Sequence, residues 1–515
     1  MSYDDDDTTY AMPEFKGRNI LIFSDGTGQA GGILFDEARS NVYKLFRATR
    51  CGPDSTIDPD KQLAFYDPGL GSKLGGQRIK IGFFRRIYNV VSSATGLGIT
   101  ENIIDCYSAL IQLWRPGDRI FLFGFSRGAY TVRCLGGVLG LCGIPEQLPN
   151  SPKLLRDPVT VRQIALEAVK RVYRHGSGAG VQETDNPNEQ ARLIARKDKL
   201  EGQRRALGQQ FRAKYHSHKS DGSSNAVPHF IGVWDTVAAV GLSRPAWAAI
   251  KVVLSALALC LAATIGWIIT RSLQWQFFAY FGAALAAFAM MGVAANLLLR
   301  LKFVTGLPGY HWYQTIHLTG LKMEFFDKIL NPNVRYARHA LAIDEYRADF
   351  DRVPWINEGG APDREIAEGA WFTQYWFAGN HSDIGGSYQE NESRLSDLSL
   401  KWMANQAQKA GLLTNPLYLT LFGRPSGPQH DECRVGISFW GMHFKWREHI
   451  RKMVANATVH PSVFDRFNGP AVLIYDEEKR YRPELLRQHT SYKQAYLDEE
   501  MANARKSLDA NPKLT

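Results

Sequence analysis

Short apolar runs that stop abruptly at a turn recur along this chain, and they limit the folds open to it. Asn19-Ile-Leu-Ile-Phe-Ser24 is continuous and apolar and ends in Asp25-Gly-Thr-Gly28, the pattern of a buried strand delivering its C-terminal end into a tight turn. Arg119 to Phe125 repeats the design, His229-Phe-Ile-Gly-Val-Trp-Asp235 ends on an acid, and Trp371 to Ala378 is a fourth run. Helical segments lie between them. Thr100 to Trp114 sets Ile103, Ile104, Tyr107, Leu110 and Ile111 at helical spacing before Pro116-Gly117-Asp118 closes it. Strands alternating with helices predict an α/β fold with a mainly parallel sheet flanked by helices. Ligands of such sheets bind beyond the carboxyl ends of the strands.

One of those ends carries a serine. Phe121-Leu-Phe-Gly-Phe-Ser-Arg-Gly-Ala-Tyr130 runs an apolar strand into Gly-x-Ser-x-Gly, followed by a small-residue segment whose Val132, Leu135, Val138 and Leu139 form an apolar helix face. A serine hydroxyl attacks an ester only when a base takes its proton, and an acid must hold that base in one tautomer. A sharp strand-to-helix turn projects such a serine, and glycines two residues either side, here Gly124 and Gly128 around Ser126, keep the turn from colliding with its neighbours. Asp235, at a strand end, and His381, in the loop "AGNHSDIGGSY", complete the order Ser, Asp, His found in α/β-hydrolases. His339 stands as an alternative base and Asp344 or Asp383 as an alternative acid. The oxyanion formed on attack needs backbone donors: the amide of Arg127 and the turn at Gly26 and Thr27 are the candidates.

Two charge-free stretches interrupt this pattern, Val252 to Thr270 with 19 residues and Phe277 to Leu299 with 23. At ~1.5 Å per helical residue both approach the ~30 Å of a bilayer core. Only Arg271-Ser-Leu-Gln-Trp-Gln276 links them, so an inserted two-helix transmembrane hairpin is expected. Arg244, Lys251, Arg300 and Lys302 on its outer flanks against Arg271 in its loop predict a two-pass inner-membrane protein, with the catalytic domain and both termini cytoplasmic. Trp247, Trp267, Trp275 and Tyr280 fall near the expected interfaces.

The formal charge of +10 favours anionic surfaces, and a lipid bilayer with its phospholipids is the partner expected, with no nucleic acid. Six cysteines without C-x-x-C spacing point to a reducing compartment and no structural zinc, and the acidic start Met1-Ser-Tyr-Asp-Asp-Asp-Asp is not a signal peptide. Arg174 to Asn225, polar and ending in "HSHKSDGSSN", reads as an insertion with helical stretches and a mobile end, its His216 and His218 solvated rather than metal-binding.

"FSDGT", "YDPGLGS", "GDRIFLFGFSRGAYTVR", "FIGVWDTVAAVG", "HALAIDE" and "WFAGNHSDIGGSY" occur together and in order over roughly residues 17 to 390. As a set they closely resemble the DUF2235 family, which includes the catalytic domain of Tle1-like phospholipase effectors of type VI secretion. The resemblance implies an α/β-hydrolase fold with Ser126 as nucleophile, Asp235 as acid and His381 as base, without metal or organic cofactor. Many relatives carry Asn after the DGT turn where this chain has Gly28 and Gln29. The expected division is an acidic tail over 1–16, a hydrolase core over 17–247, the hairpin over 248–300, the rest of the core over 301–390, and a helical and loop region over 391–515 packed on it. The expected function is a membrane-associated lipid esterase of phospholipase A type. A catalytically silent hydrolase scaffold and a secreted antibacterial effector that meets type VI secretion components are the alternatives.

Overall fold

Six of the chain's apolar segments form one parallel sheet. The computed structural model describes residues 17–26, 38–69, 97–176, 186–237, 277–318, 330–355, 371–439 and 442–510, with Cys260 and Thr264. Strands β1 (Asn19–Ser24), β2 (Gln62–Asp67), β3 (Arg119–Phe125), β4 (Pro228–Trp234), β5 (Tyr336–Ala342) and β6 (Phe372–Phe377) lie in the order β2-β1-β3-β4-β5-β6. Every neighbouring pair is parallel, and the register brings Ser24 beside Gly124, Phe125 beside Trp234 and Ala342 beside Phe377. The ends of the central strands thus share one edge.

The apolar runs are continuous because both faces of the sheet are covered. Side chains alternate across a strand. Ile20, Ile22, Ile120, Leu122, Ile231 and Val233 therefore face helices α2 (Leu97–Leu113) and α3 (Arg127–Cys142). Leu21, Phe23, Phe121, Phe123 and Phe230 face α1 (Asn41–Thr49) and the later helix Arg394–Lys409, through Val42, Leu45, Leu400, Met403 and Ala407. Beyond β6 the C-terminal region adds a third cluster around Trp376, Phe467, Tyr481, Leu486 and Tyr492, and Val459 continues the sheet as a parallel bridge to Trp376.

Two strands were not anticipated. β5, Tyr-Ala-Arg-His-Ala-Leu-Ala, has little of the β-branched character that marks a strand, yet all seven residues are buried between β4 and β6. β2 lies at the sheet edge with four half-buried residues, so its apolar signal is diluted.

Two expectations need correction. Among the described residues no helix is long and apolar enough to cross a membrane. The expected hairpin is thus without support. Its first span lies outside the described residues apart from Cys260 and Thr264, and its second forms helix α5 (Phe277–Arg300), whose side chains are described only over 283–294 and at Leu298. The expected mobile end of the polar stretch Arg174 to Asn225 is bonded to the core. Asn186 caps a 29-residue helix, α4 (Pro187–Tyr215), that buries Leu200, Leu207, Phe211 and Tyr215. The following Ser and Asn residues bind backbone: Ser217 Oγ donates to Cys142 O at 2.5 Å, Ser224 Oγ to Leu139 O at 2.6 Å, and Asn225 Oδ1 accepts from Ile144 N at 2.9 Å. Short polar side chains that satisfy backbone groups give the loop a defined path. His216 and His218 are exposed, as a solvated role requires.

Candidate active site

β3 ends at Phe125, and the chain turns at Ser126 with φ 58° and ψ −120°, a conformation that non-glycine residues rarely adopt. The packing of α3 against β1 and β3 enforces it. A Cβ on Gly124 would come 2.5 Å from Gly128 O, and one on Gly128 would come 1.9 Å from Ser24 O. Two glycines thus let the helix backbone sit directly on the strands, which lifts Ser126 to the N-cap of α3. Ser126 N donates to Trp234 O at 3.1 Å and ties the turn to the next strand.

That strand, β4, leads into Asp235, which is fully buried and also has positive φ, 38°. Its carboxylate receives two donors on each oxygen. Oδ1 accepts from Ala342 N at 3.1 Å and Arg451 Nη1 at 2.7 Å, and Oδ2 accepts from His381 Nδ1 at 2.5 Å and Arg451 Nη2 at 3.0 Å. Burial by itself would raise its pKa, but the Arg451 charge and the bonds from His381 and Arg451 outweigh it and hold the group well below the usual carboxylate range. An ionised acceptor there makes Nδ1 of His381 the donor, which leaves Nε2 as the basic nitrogen.

His381 opens a one-turn helix, α6 (His381–Gly385), two strands away from β4. Asn380 Oδ1 accepts from the amides of Ser382 and Asp383 at 2.9 Å, and Asp383 Oδ2 accepts from Asn380 N at 3.1 Å. This reciprocal cap fixes the backbone that carries the imidazole. The amide of His381 donates to Glu345 Oε2 at 3.2 Å, and Arg347 holds that carboxylate at 2.7 and 2.8 Å. The rings of Phe125 and Phe350 flank the imidazole at 4.6 and 5.2 Å between centroids. Nε2 is buried and makes no hydrogen bond among the described residues. Catalytic hydrogen bonds to the nucleophile often form only with substrate in place.

The alternative residues are committed elsewhere. His339, in β5, shares Nδ1 with Gln374 Oε1 at 3.1 Å and accepts from Thr236 N at 3.4 Å, and burial together with Arg133 lowers its pKa to about 3. Asp344 accepts from Gly379 N and the Tyr481 hydroxyl, and Asp383 binds His430. A Cβ on Gly26 would lie 3.6 Å from Ser126 Cβ, so the turn expected on the oxyanion side borders Ser126. The Gly26 amide donates to Asp25 Oδ1 at 2.7 Å. Thr27 lies outside the described residues. The Arg127 amide sits in the first turn of α3, where helical N–H groups have no intrahelical acceptor.

Sequence reasoning missed Arg451, Glu345 and Arg347. Arg451 is 216 positions from Asp235 in a loop without a local pattern, and no short-range signal marks it.

A profile of the type VI secretion phospholipase effector Tle1-like catalytic domain matches residues 18–276 and 299–406. An uncharacterized protein of Saccharomyces cerevisiae is 32% identical over 134 residues, 25% of this chain and 18% of its own length. A crystal structure of an uncharacterized protein from Pseudomonas aeruginosa aligns with 79% of this chain and 48% of that one, at 17% identity and a TM-score of 0.32. The alignments thus span less than half the length of either relative.

Proposed function

The chain belongs to the Tle1-like family of type VI secretion phospholipase effector catalytic domains, and from that premise we propose that it is a serine esterase acting on membrane phospholipids. The observation that carries the proposal is the bond from His381 Nδ1 to Asp235 Oδ2 at 2.5 Å, with Ser126, Asp235 and His381 following β3, β4 and β6 of one parallel sheet and the imidazole Nε2 buried and unbonded among the described residues. In this reading the fold is that of an α/β-hydrolase, and Ser126 Oγ attacks the acyl carbonyl while Nε2 takes its proton. The Arg127 amide receives the oxyanion, the imidazolium returns the proton to the leaving alcohol, and water repeats the cycle on the acyl-enzyme.

Two features support an anionic lipid. The Arg127 guanidinium, next to the nucleophile, has its pKa drawn down to about 10 by burial and makes no ion pair among the described residues. Along α5 and just after it, Met290, Met291, Val293, Leu298, Phe303 and Trp312 are more than half exposed, beside Lys302. Apolar and aromatic groups with a flanking cation suit the headgroup boundary of a bilayer. The profile match skips 277–298, so this helix is an addition to the family's domain.

The test is hydrolysis of vesicles with defined headgroups by the full chain and by Ser126→Ala, with fluorophosphonate labelling alongside. Fatty acid release and labelling that vanish together in Ser126→Ala support the reading. Equal release by the variant, or no labelling of the wild type, refutes it.

A further inference from the structure

The buried guanidinium of Arg451 comes from a part of the chain that lies past residue 406, where the family match ends. Its loop is pinned beside the site: His449 N donates to Tyr346 O and Ala348 N to Arg447 O, both at 2.8 Å. The side chain is 1% exposed. Besides the two bonds to Asp235, Nη1 donates to Ala342 O at 3.1 Å and Nη2 to Phe350 O at 2.6 Å. Such a planar fork fixes a carboxylate in orientation as well as in charge. The carbonyls of Ala342 and Phe350 fix the fork in turn.

Around the Asp235–His381 pair stand Arg451 in the C-terminal loop, His339 in β5, and Glu345, Arg347, Asp351 and Arg352 in the segment after β5. Glu345 is paired with Arg347 at 2.7 Å, so Arg451 is the cation that shares the carboxylate bound by His381. We propose that Arg451 is a positioning residue through which the C-terminal region locks Asp235, and with it the imidazole of His381, in place. The proposal rests on the serine-esterase reading.

The experiment measures the rate of fluorophosphonate labelling of the full chain against reagent concentration for wild type, Arg451→Lys and Arg451→Met, with near-UV circular dichroism to establish folding. Arg451→Lys keeps the charge but not the fork. Its maximal labelling rate should fall by about tenfold, the loss expected from misorienting a catalytic group, while the reagent concentration for half-maximal rate stays at the wild-type value. Arg451→Met loses charge and fork and should label no faster than Arg451→Lys. A folded Lys variant with the wild-type maximal rate, one whose loss lies in the half-maximal concentration, or a folded Met variant faster than the Lys variant overturns the proposal. If Arg451→Met does not fold, the Lys variant decides alone by the same two readings. Failure of the serine reading appears differently, as absence of labelling in the wild type.

Discussion

Replacing Asp235 by Asn leaves the size of the side chain unchanged and reverses the polarity of one of its two acceptor positions. Both positions carry two donors: Ala342 N and Arg451 Nη1 on one oxygen, His381 Nδ1 and Arg451 Nη2 on the other. An amide NH₂ in the first position would face two donors that cannot turn into acceptors. In the second, His381 can yield by moving its proton to Nε2, so that Nδ1 accepts from the new amide. This second arrangement conflicts with one donor, Arg451 Nη2, rather than two, and is the one expected. It places a proton on the nitrogen that, in the proposed mechanism, takes one from Ser126. Acylation should then fall by about 10⁴-fold, which corresponds to about 5 kcal/mol in the barrier. Stability should also fall, by about 3 to 5 kcal/mol, because Arg451 stays buried without its counter-charge. The assay is burst-phase hydrolysis of a p-nitrophenyl ester, with near-UV circular dichroism to establish folding and a urea titration for stability. A folded Asn variant that acylates within tenfold of the wild type would show that Asp235 does not set the tautomer of the base.

Two further outcomes follow from the same geometry. Gly128→Ala would drive a Cβ to 1.9 Å from the Ser24 carbonyl, so its melting temperature should drop, with a loss of about 3 kcal/mol; wild-type melting would mean that α3 does not press on β1 as described. Asp67, fully buried, has its pKa raised to about 8, chiefly by burial and against the bonds it accepts from Ser24 and Asn102. The folded state therefore holds this proton more tightly than the unfolded chain does, and stability is lost as pH rises from about 4 toward about 8, at about 1.4 kcal/mol per unit. Asp67→Asn keeps the acceptor oxygen and removes the titration. Its denaturation midpoint should gain on the wild type steadily across that window, whereas parallel pH profiles would refute the buried protonated carboxyl.

The part of this site legible in sequence is the part built from strand ends. Phe121 to Gly128 marks Ser126 because a turn that tight tolerates few residues, and Asp235 and His381 are visible because each lies just past an apolar run. β5 was hidden because Ala, Arg and His carry no strand signal and become buried only through their neighbours. The charge-free stretches show how far composition reaches: apolar length alone suggested a membrane crossing, and among the described residues no helix meets that requirement.

By itself the sequence determined the alternation of strand and helix, the turn that carries Ser126, and the family, since these depend on local periodicity and on which residues a turn can hold. Only the tertiary structure decided which imidazole meets which carboxylate. It placed His339 against Gln374, and it brought a guanidinium from 216 residues away onto Asp235. Those choices depend on the strand order and on which buried charges find partners, and no local stretch of sequence encodes either.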